Sequence, residues 1–525
     1  MKTLSADLLL TLTPTEQQDL ETIEESGLFD ADFYLSVHQD VAGSKIDPLI
    51  HYVKYGFREG RQPNRNFRPA SYLRQYPDAD AGNRNPFIHF LKTHGGCHIA
   101  HHGLLPRFHL EDLSIGARTL EQLPFFTPDL YHDINRDIER TTTDMAEHAL
   151  LYGVPEGRRI FGALHVSRTL GALCAAKGLD DADYMVADGA VPDGIGVYYN
   201  SNGNVFIHEI ASDLCTTLRE SGLNCVLLDE TGNPDDRPEL CIFVAPHEFF
   251  HLGQGQDWAT GAIIRDAIMF NTEQPQTLWF ERGIPFLLMA AGVIDICHQM
   301  AESFRQAGLP AIHFTPNVGT ERNYLQKGDM QHAMVRILPP ACRRHPDRHT
   351  PFADRQLDIS FFGGLSAHRE KFFACNAGFF AQFRNYFYYR KFTTPIDSSP
   401  RDNPLSRLAS HVAGHSRIAL NIHRDDYGFF EWHRIVKGAM ANGSVVVSEP
   451  CLPHPVFRPN VHFLEESGRH IPNLIEWLLN TPDGQAKAED VRLAAMRAID
   501  TPAHNRARCA RIRGFISHVW STPEA

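Results

Sequence analysis

A chain of 525 residues is longer than one hydrophobic core organises, so two or three domains are expected, and a hydrophobic share of 43% suits folded domains rather than disorder. Lys and Arg number 50 against 63 Asp and Glu; the net charge of −13 repels a polyphosphate backbone and sets nucleic acid aside as a partner. Ten cysteines without a CxxC pair, in a chain large enough to do without staples, fit a reducing cytoplasm.

In chain order, Met1–Thr13 carries one lysine and the run Leu8-Leu9-Leu10 close behind Asp7, which lacks the length and cleavage-site character of a signal peptide. No later segment is apolar over the length a membrane span needs. Three related units follow, opened by Asp32-Phe33-Tyr34, Ala70-Ser71-Tyr72 and Asp129-Leu130-Tyr131. Six residues after each tyrosine stands an aspartate (Asp40, Asp78, Asp137), then Asp47, Asn85 or Asp144, then His51, His89 or His148 in constant register. Each unit reads as two short helices, the second capped by Asp47 or its counterpart and stopped by glycine; such units bury their faces by stacking. The tyrosines and histidines are expected to pack inside the array. The pattern resembles the short repeats attached to many bacterial glycosyltransferases and covers about residues 28–161. An all-α repeat domain over 1–165 is therefore expected.

From Gly194 short apolar runs alternate with amphipathic stretches, the texture of an α/β fold with parallel sheets covered by helices. Strands are expected at Val197–Tyr199, Cys225–Leu228, Cys241–Ala245, Ile268–Phe270 and Ile312–Thr315, making a first Rossmann-like lobe over 190–320. The run Ile284–Ile294, interrupted by Pro285 and closed by Asp295, reads as a buried helix passing into a strand. Strands at Ile359–Phe362, Ile418–Ile422, Val445–Val447 and His462–Leu464 make a second lobe over 350–485, and C-terminal helices are expected over 486–525. Paired lobes of this kind bind ligands at the carboxyl ends of their strands.

Polar motifs fall at those ends. Gly194-Ile195-Gly196 lacks a third glycine and precedes its strand, so it is not a dinucleotide fingerprint. The turn Asn200–Gly203, with Asn202, follows a strand and precedes a helix, where free amides can meet an acceptor or phosphate. His247-Glu248-Phe249-Phe250-His251 matches the HExxH pattern of zinc peptidases, yet Pro246 precedes it and Gly253 and Gly255 follow, so a sustained helix is not expected. The alternative places His247 and Glu248 in a strand-end loop, His247 with a near-neutral pKa serving as general base for an acceptor hydroxyl. Asn271 and Glu273 hold a similar strand-end position on the acceptor side.

In the second lobe, Asp358–Gly364 followed by His368-Arg369-Glu370-Lys371 is a strand, a Gly363-Gly364 turn and a basic helix start. Asn421-Ile422-His423 ends a strand, Gly428–Arg434 turns into a helix, and Ala439-Met440-Ala441-Asn442-Gly443 leads to Ser448-Glu449. This stretch, about Asp358–Thr481, resembles the C-terminal lobe of GT-B-fold glycosyltransferases of the group 1 type, in particular those related to CgeB-like proteins. The resemblance implies that Gly363, Gly364, Arg369 and Lys371 lie near a donor diphosphate, that His423, Glu431, Arg434 and Glu449 surround nucleotide and sugar, and that the C-terminal helices over 486–525 pack back across the lobes. Where that family often carries a glutamate before Ala-Met-Ala, this chain has Lys437-Gly438, so Glu431 or Glu449 takes over the ribose contact or donor binding is altered.

The expected function is transfer of a sugar from a nucleotide-diphosphate donor, its co-substrate, to a hydroxyl of a glycan, glycolipid or protein. No cofactor or metal is expected, since Asp425-Asp426 is more simply a loop pair than a metal motif. Arg492, Arg497, Arg506, Arg508, Arg511 and Arg513 on the C-terminal helices pair with acidic groups of the chain or touch a membrane surface, consistent with a cytoplasmic protein at the inner face. The alternatives are a zinc metallopeptidase working through HEFFH and a catalytically inactive glycan- or protein-binding scaffold.

Overall fold

The computed structural model describes residues 12–44, 46–64, 67, 69, 72–73, 84–94, 110–138, 144–177, 184, 189–316, 324–390, 404–428, 436–500 and 502–521. Two compact units emerge, one of Met1–Arg118, Tyr131–Ile160 and Ala259–Gly261, the other of Thr119–Leu130, Phe161–Trp258 and Ala262–Ala525.

The first unit is built from helices among its described residues. Thr13 and Glu16 form a capping box on helix Pro14–Ser26, and Asp47 caps helix Pro48–His51 by accepting from the amides of Leu49 and Ile50. Asp144 caps Met145–His148 in the same manner. Each unit joins its tyrosine to the histidine seventeen residues on: Tyr34 to His51 Nδ1 at 3.0 Å, Tyr72 to His89 Nδ1 at 2.8 Å, Tyr131 to His148 Nδ1 at 3.1 Å. Tyr34, Tyr72 and Tyr131 are wholly buried, so a partner for each hydroxyl is needed. Gly56 and Gly153 lie so close to the hydroxyls of Tyr34 and Tyr131 that a Cβ at either position would collide with them. Arg61 pairs with Asp40, and Arg158 with Asp137, fixing the glycine-stopped end of the unit to the aspartate six residues past its tyrosine.

The second unit holds two all-parallel sheets. Strands β1 (Ile195–Tyr199), β2 (Cys225–Asp229), β3 (Leu240–Val244), β4 (Ile268–Asn271), β5 (Gly292–Asp295) and β6 (Ala311–His313) lie in the order β2-β1-β3-β4-β5-β6. Strands β7 (Leu357–Gly364), β8 (Asn385–Arg390), β9 (Ser416–Asn421), β10 (Val445–Ser448) and β11 (Leu464–Glu465) lie in the order β11-β10-β9-β7-β8. These are two Rossmann-like α/β lobes. In each sheet the direction of strand addition reverses once, between β1 and β3 and between β7 and β9, and the crevice beyond the carboxyl ends at such a reversal is where open α/β sheets take ligands.

Central strands read as continuous apolar runs because both faces are covered: β3 and β10 are buried along their whole lengths. The expected strands are present, the last only as Leu464–Glu465 at the end of the expected His462–Leu464, and β8 joins them. Helix Leu278–Met289 retains Pro285 and passes into β5, as the apolar run predicts. Helix Pro482–Asp500 packs Ala488 and Val491 on the second core, so the expected boundary at 485/486 falls inside it. Helix Pro502–Ser521 returns to the first lobe, where Ile512, Phe515, Ile516 and Val519 join the core made by β1, β3 and helix Val205–Glu220. No described helix is long and apolar enough to cross a membrane.

Candidate functional site

The first lobe gathers polar side chains at the carboxyl ends of β1, β3, β4 and β5. Past β1, Asn200 is buried and its Nδ2 donates to the carbonyls of Phe249 (3.0 Å) and Leu252 (2.7 Å), closing the β1/β3 crevice from within. The amide and hydroxyl of Ser201 donate to Glu230 at 2.6 and 2.7 Å, and Asn202 Nδ2 donates to it at 2.8 Å. Asn202 is thereby turned to a buried carboxylate of its own chain. Glu248 accepts the amide of Asn204, which caps helix Val205–Glu220, at 2.8 Å; burial raises its pKa against that hydrogen bond. In this position it braces the loop that opens helix Val205–Glu220.

Ala245 adopts a left-handed backbone with φ 55°, a strained conformation for an L-residue, and this turns the chain sharply from β3 into a helix of only Pro246–Phe249. HEFFH therefore does not run along a sustained helix. Among the described residues no group of three or more His, Cys, Asp or Glu is arranged to hold a metal ion. His247 is 3% exposed and stands 3.9 Å through Nε2 from Glu273 Oε1, while its Nδ1 has no hydrogen-bond partner. Burial, with the Arg282 cation adding to it, lowers its pKa to about 3. The near-neutral pKa expected of a general base is therefore replaced by a neutral, weakly basic imidazole. Asn271 ends β4 and donates from Nδ2 to Asp295 Oδ2 at 2.8 Å and to the Glu273 carbonyl at 2.9 Å. Asp295, closing β5, is wholly buried and also accepts the Cys297 amide at 2.7 Å; burial outweighs both bonds and pushes its carboxyl up to about 8. His247, Asn271 and Glu273 thus meet as a cluster. The sequence reading named those three and missed Asp295 and Glu230; the one signal was a carboxylate terminating an apolar run at Asp295.

In the second lobe, Arg369 does not reach outward. Its Nε donates to the Ile422 carbonyl at 2.9 Å and Nη1 to the Gly364 carbonyl at 3.1 Å, which ties the end of β7 to the end of β9 across the crevice. A Cβ on Gly363 would meet the Phe361 ring at 2.6 Å and Arg369 Nη1 at 3.0 Å, so side chains of the protein already fill the room this glycine leaves. Gly364 is the last β7 residue, in register with Arg390. Lys371 is exposed on helix Ala367–Cys375.

The polar centre of this lobe is His368, in the first turn of that helix. Its Nδ1 lies 2.7 Å from Asp426 Oδ1 and its Nε2 3.0 Å from both oxygens of Glu449. Burial works against the charged imidazole, but the two carboxylates outweigh it and its pKa is raised. Glu449, at the end of β10, also accepts the His423 amide at 2.8 Å, and His423 Nε2 lies 2.9 Å from the Pro450 carbonyl. Burial lowers the His423 pKa, against the neighbouring Glu449. The structure thus brings His423 and Glu449 together, with His368 between carboxylates. Glu431 and Arg434 lie outside the described residues.

Lys437 is 1% exposed and donates from Nζ to the Thr315 carbonyl of the first lobe at 3.2 Å; burial, then the charge of Arg508, lowers its pKa to about 7. Beside it Thr315 Oγ1 lies 3.0 Å from His313 Nε2 and 3.1 Å from His454 Nε2, and Gln299 Nε2 donates to the Pro453 carbonyl at 2.7 Å. Lys437, one residue before the Gly438 that stands directly ahead of Ala439-Met440-Ala441, therefore belongs to the seam between the lobes.

No protein-family model and no curated protein matches the chain. Among solved structures it is similar to HepE of Anabaena in complex with UDP-glucose, at 12% identity over 61% of this chain and 99% of that one, with a TM-score of 0.37. Sucrose-phosphate synthase from Thermosynechococcus elongatus is similar at 12% identity over 61% of this chain and 97% of that one, TM-score 0.36. A glycosyltransferase from Rickettsia africae is similar at 8% identity over 63% of this chain and 99% of that one, TM-score 0.37.

Proposed function

We propose that the chain is a glycosyltransferase, moving a sugar from a nucleoside-diphosphate donor to a hydroxyl of a glycan, glycolipid or protein in the cytoplasm or at its membrane face. The observation that carries this reading is the His368–Glu449–His423 arrangement at the carboxyl ends of β9 and β10, in a sheet facing a second parallel lobe with its own polar cluster. A protonated His368 in the first turn of helix Ala367–Cys375 adds its charge to the free amides there, and together they offset the charge of a departing diphosphate. The Glu449 carboxylate has acceptor capacity beyond its two partners for ribose hydroxyls. On the acceptor side Glu273, partly exposed beside neutral His247, takes the proton of the attacking hydroxyl, and His247 orients it. The equivalent Tyr–His pairs support reading residues 1–165 as a stacked helical repeat domain.

The test is thermal unfolding of the whole chain with UDP, GDP, CDP and their sugars, with zinc content measured on the same sample. A midpoint raised by one nucleotide family, followed by release of that diphosphate when acceptor glycan is added, is expected. A flat response with stoichiometric zinc would overturn the reading in favour of HEFFH chemistry; a flat response without zinc would leave a binding scaffold.

A further inference from the structure

Two buried cysteines face each other outside the clusters described so far. Cys215 lies on the inner face of helix Val205–Glu220 and Cys225 opens the edge strand β2 beside it; they are 1% and 4% exposed and their sulfurs stand 3.0 Å apart. Arg219, one helical turn beyond Cys215, donates from Nε to the Cys225 carbonyl at 2.8 Å and brings a positive charge to the pair. We infer that Cys215 and Cys225 are a reversible dithiol–disulfide pair that couples the stability of the first lobe to oxidant.

The contact between the sulfurs lowers one thiol, Cys215, burial opposing and Arg219 assisting, and raises its partner. A thiolate held against a thiol is what disulfide formation needs, and the 3.0 Å separation supplies it. With hydrogen peroxide as oxidant, the Cys215 thiolate attacks one peroxide oxygen and the O–O bond breaks, leaving a sulfenic acid and hydroxide, which takes up a proton as water. Cys225 then loses its proton and attacks the Cys215 sulfur, forming the S–S bond and expelling a second water. Two thiols and one hydrogen peroxide give one disulfide and two waters. Bonding needs the sulfurs to close by about 1 Å, to the usual S–S length near 2.05 Å. The link ties the helix to the edge strand and constrains the unfolded chain, so the oxidised protein unfolds at higher temperature.

Cys375, exposed on another helix, reports whether oxidant has reached the protein, and Cys509, whose Sγ lies 3.9 Å from the Thr217 carbonyl, is the competing partner. The native full chain is treated with hydrogen peroxide, its remaining thiols are alkylated after denaturation, and it is digested with trypsin. Cleavage after Arg219 puts Cys215 and Cys225 on separate peptides; the second runs to Arg265, since Pro238 blocks cleavage after Arg237, and also carries Cys241, so the joined mass that dithiothreitol divides is assigned to Cys225 by fragmentation. The expected result is that joined mass, with an unfolding midpoint above that of the reduced chain. Cys225→Ser loses both effects and Cys375→Ser keeps both. Oxidised Cys375 with Cys215 and Cys225 still alkylated, or Cys215 joined to Cys509, would overturn the inference.

Discussion

His368 is gripped on both ring nitrogens by carboxylates, so its proton is held more firmly in the folded state than in the unfolded one. The stability this contributes is complete below the ordinary histidine value near 6.5 and is lost as pH rises through the raised folded value. Unfolding midpoints of wild type and His368→Gln, measured from pH 5.5 to 9, should therefore converge toward the alkaline end; a gap that does not change with pH would show that the carboxylates do not hold the proton. Asp295 follows the same sign for a different reason. Its carboxyl is held up to about 8 by burial, so its share of stability is present below about pH 4, the usual aspartate value, and declines up to about pH 8. Asp295→Asn should flatten that decline and compare best with wild type at pH 8, read from denaturant midpoints across the range. At this scale the sequence disclosed which residue types would gather but not which way they point. Arg369 next to two glycines has the composition of a phosphate site, and only the fold shows its guanidinium spent on the carbonyls of Gly364 and Ile422.

Among the elements, the N-terminal units were the most legible, because one spacing encodes a contact. The tyrosine and the histidine seventeen residues later meet in all three, and the glycines that end two of them are small for a reason visible only in space. Gly153→Ala should destabilise by about 1–3 kcal/mol through overpacking against the Tyr131 hydroxyl. Adding Tyr131→Phe removes the obstructing oxygen and should recover part of that loss, a non-additivity read from a double-mutant cycle in denaturant. Most strands were legible as apolar runs between turns. One escaped outright: β8 is the aromatic run Asn385–Arg390, whose alternation lacks clear polar partners; β5 is legible only as the end of the Ile284–Ile294 run, without bounds of its own, behind a proline-bearing helix. The HEFFH pentapeptide was legible in its limits: Pro246 and the glycines beyond it argue against a sustained helix, and the helix stops at Phe249 after the turn at Ala245.

For the molecule as a whole, the two sheets depend on helices from far along the chain. Helix Pro482–Asp500 closes the second core and helix Pro502–Ser521 closes the first, where Phe515 is wholly buried and Arg508 pairs with Asp213 while lying over the Phe314 ring at 4.5 Å. Phe515→Ala should cost about 3–5 kcal/mol, seen as a lowered unfolding midpoint and faster proteolysis of the first lobe. The family resemblance implied such a return, while the row of arginines on predicted helices left open whether they meet acidic groups of the chain or a membrane; Arg508 meets Asp213. The returning helix also sets an order of events during synthesis. The last strand of the first sheet, β6, leaves the ribosome some two hundred residues before Phe515 and Val519 do. Through that interval the nascent first lobe exposes an unfilled apolar groove, while the whole second sheet is translated and free to fold, so the earlier lobe is the later one to finish and the natural client of a chaperone.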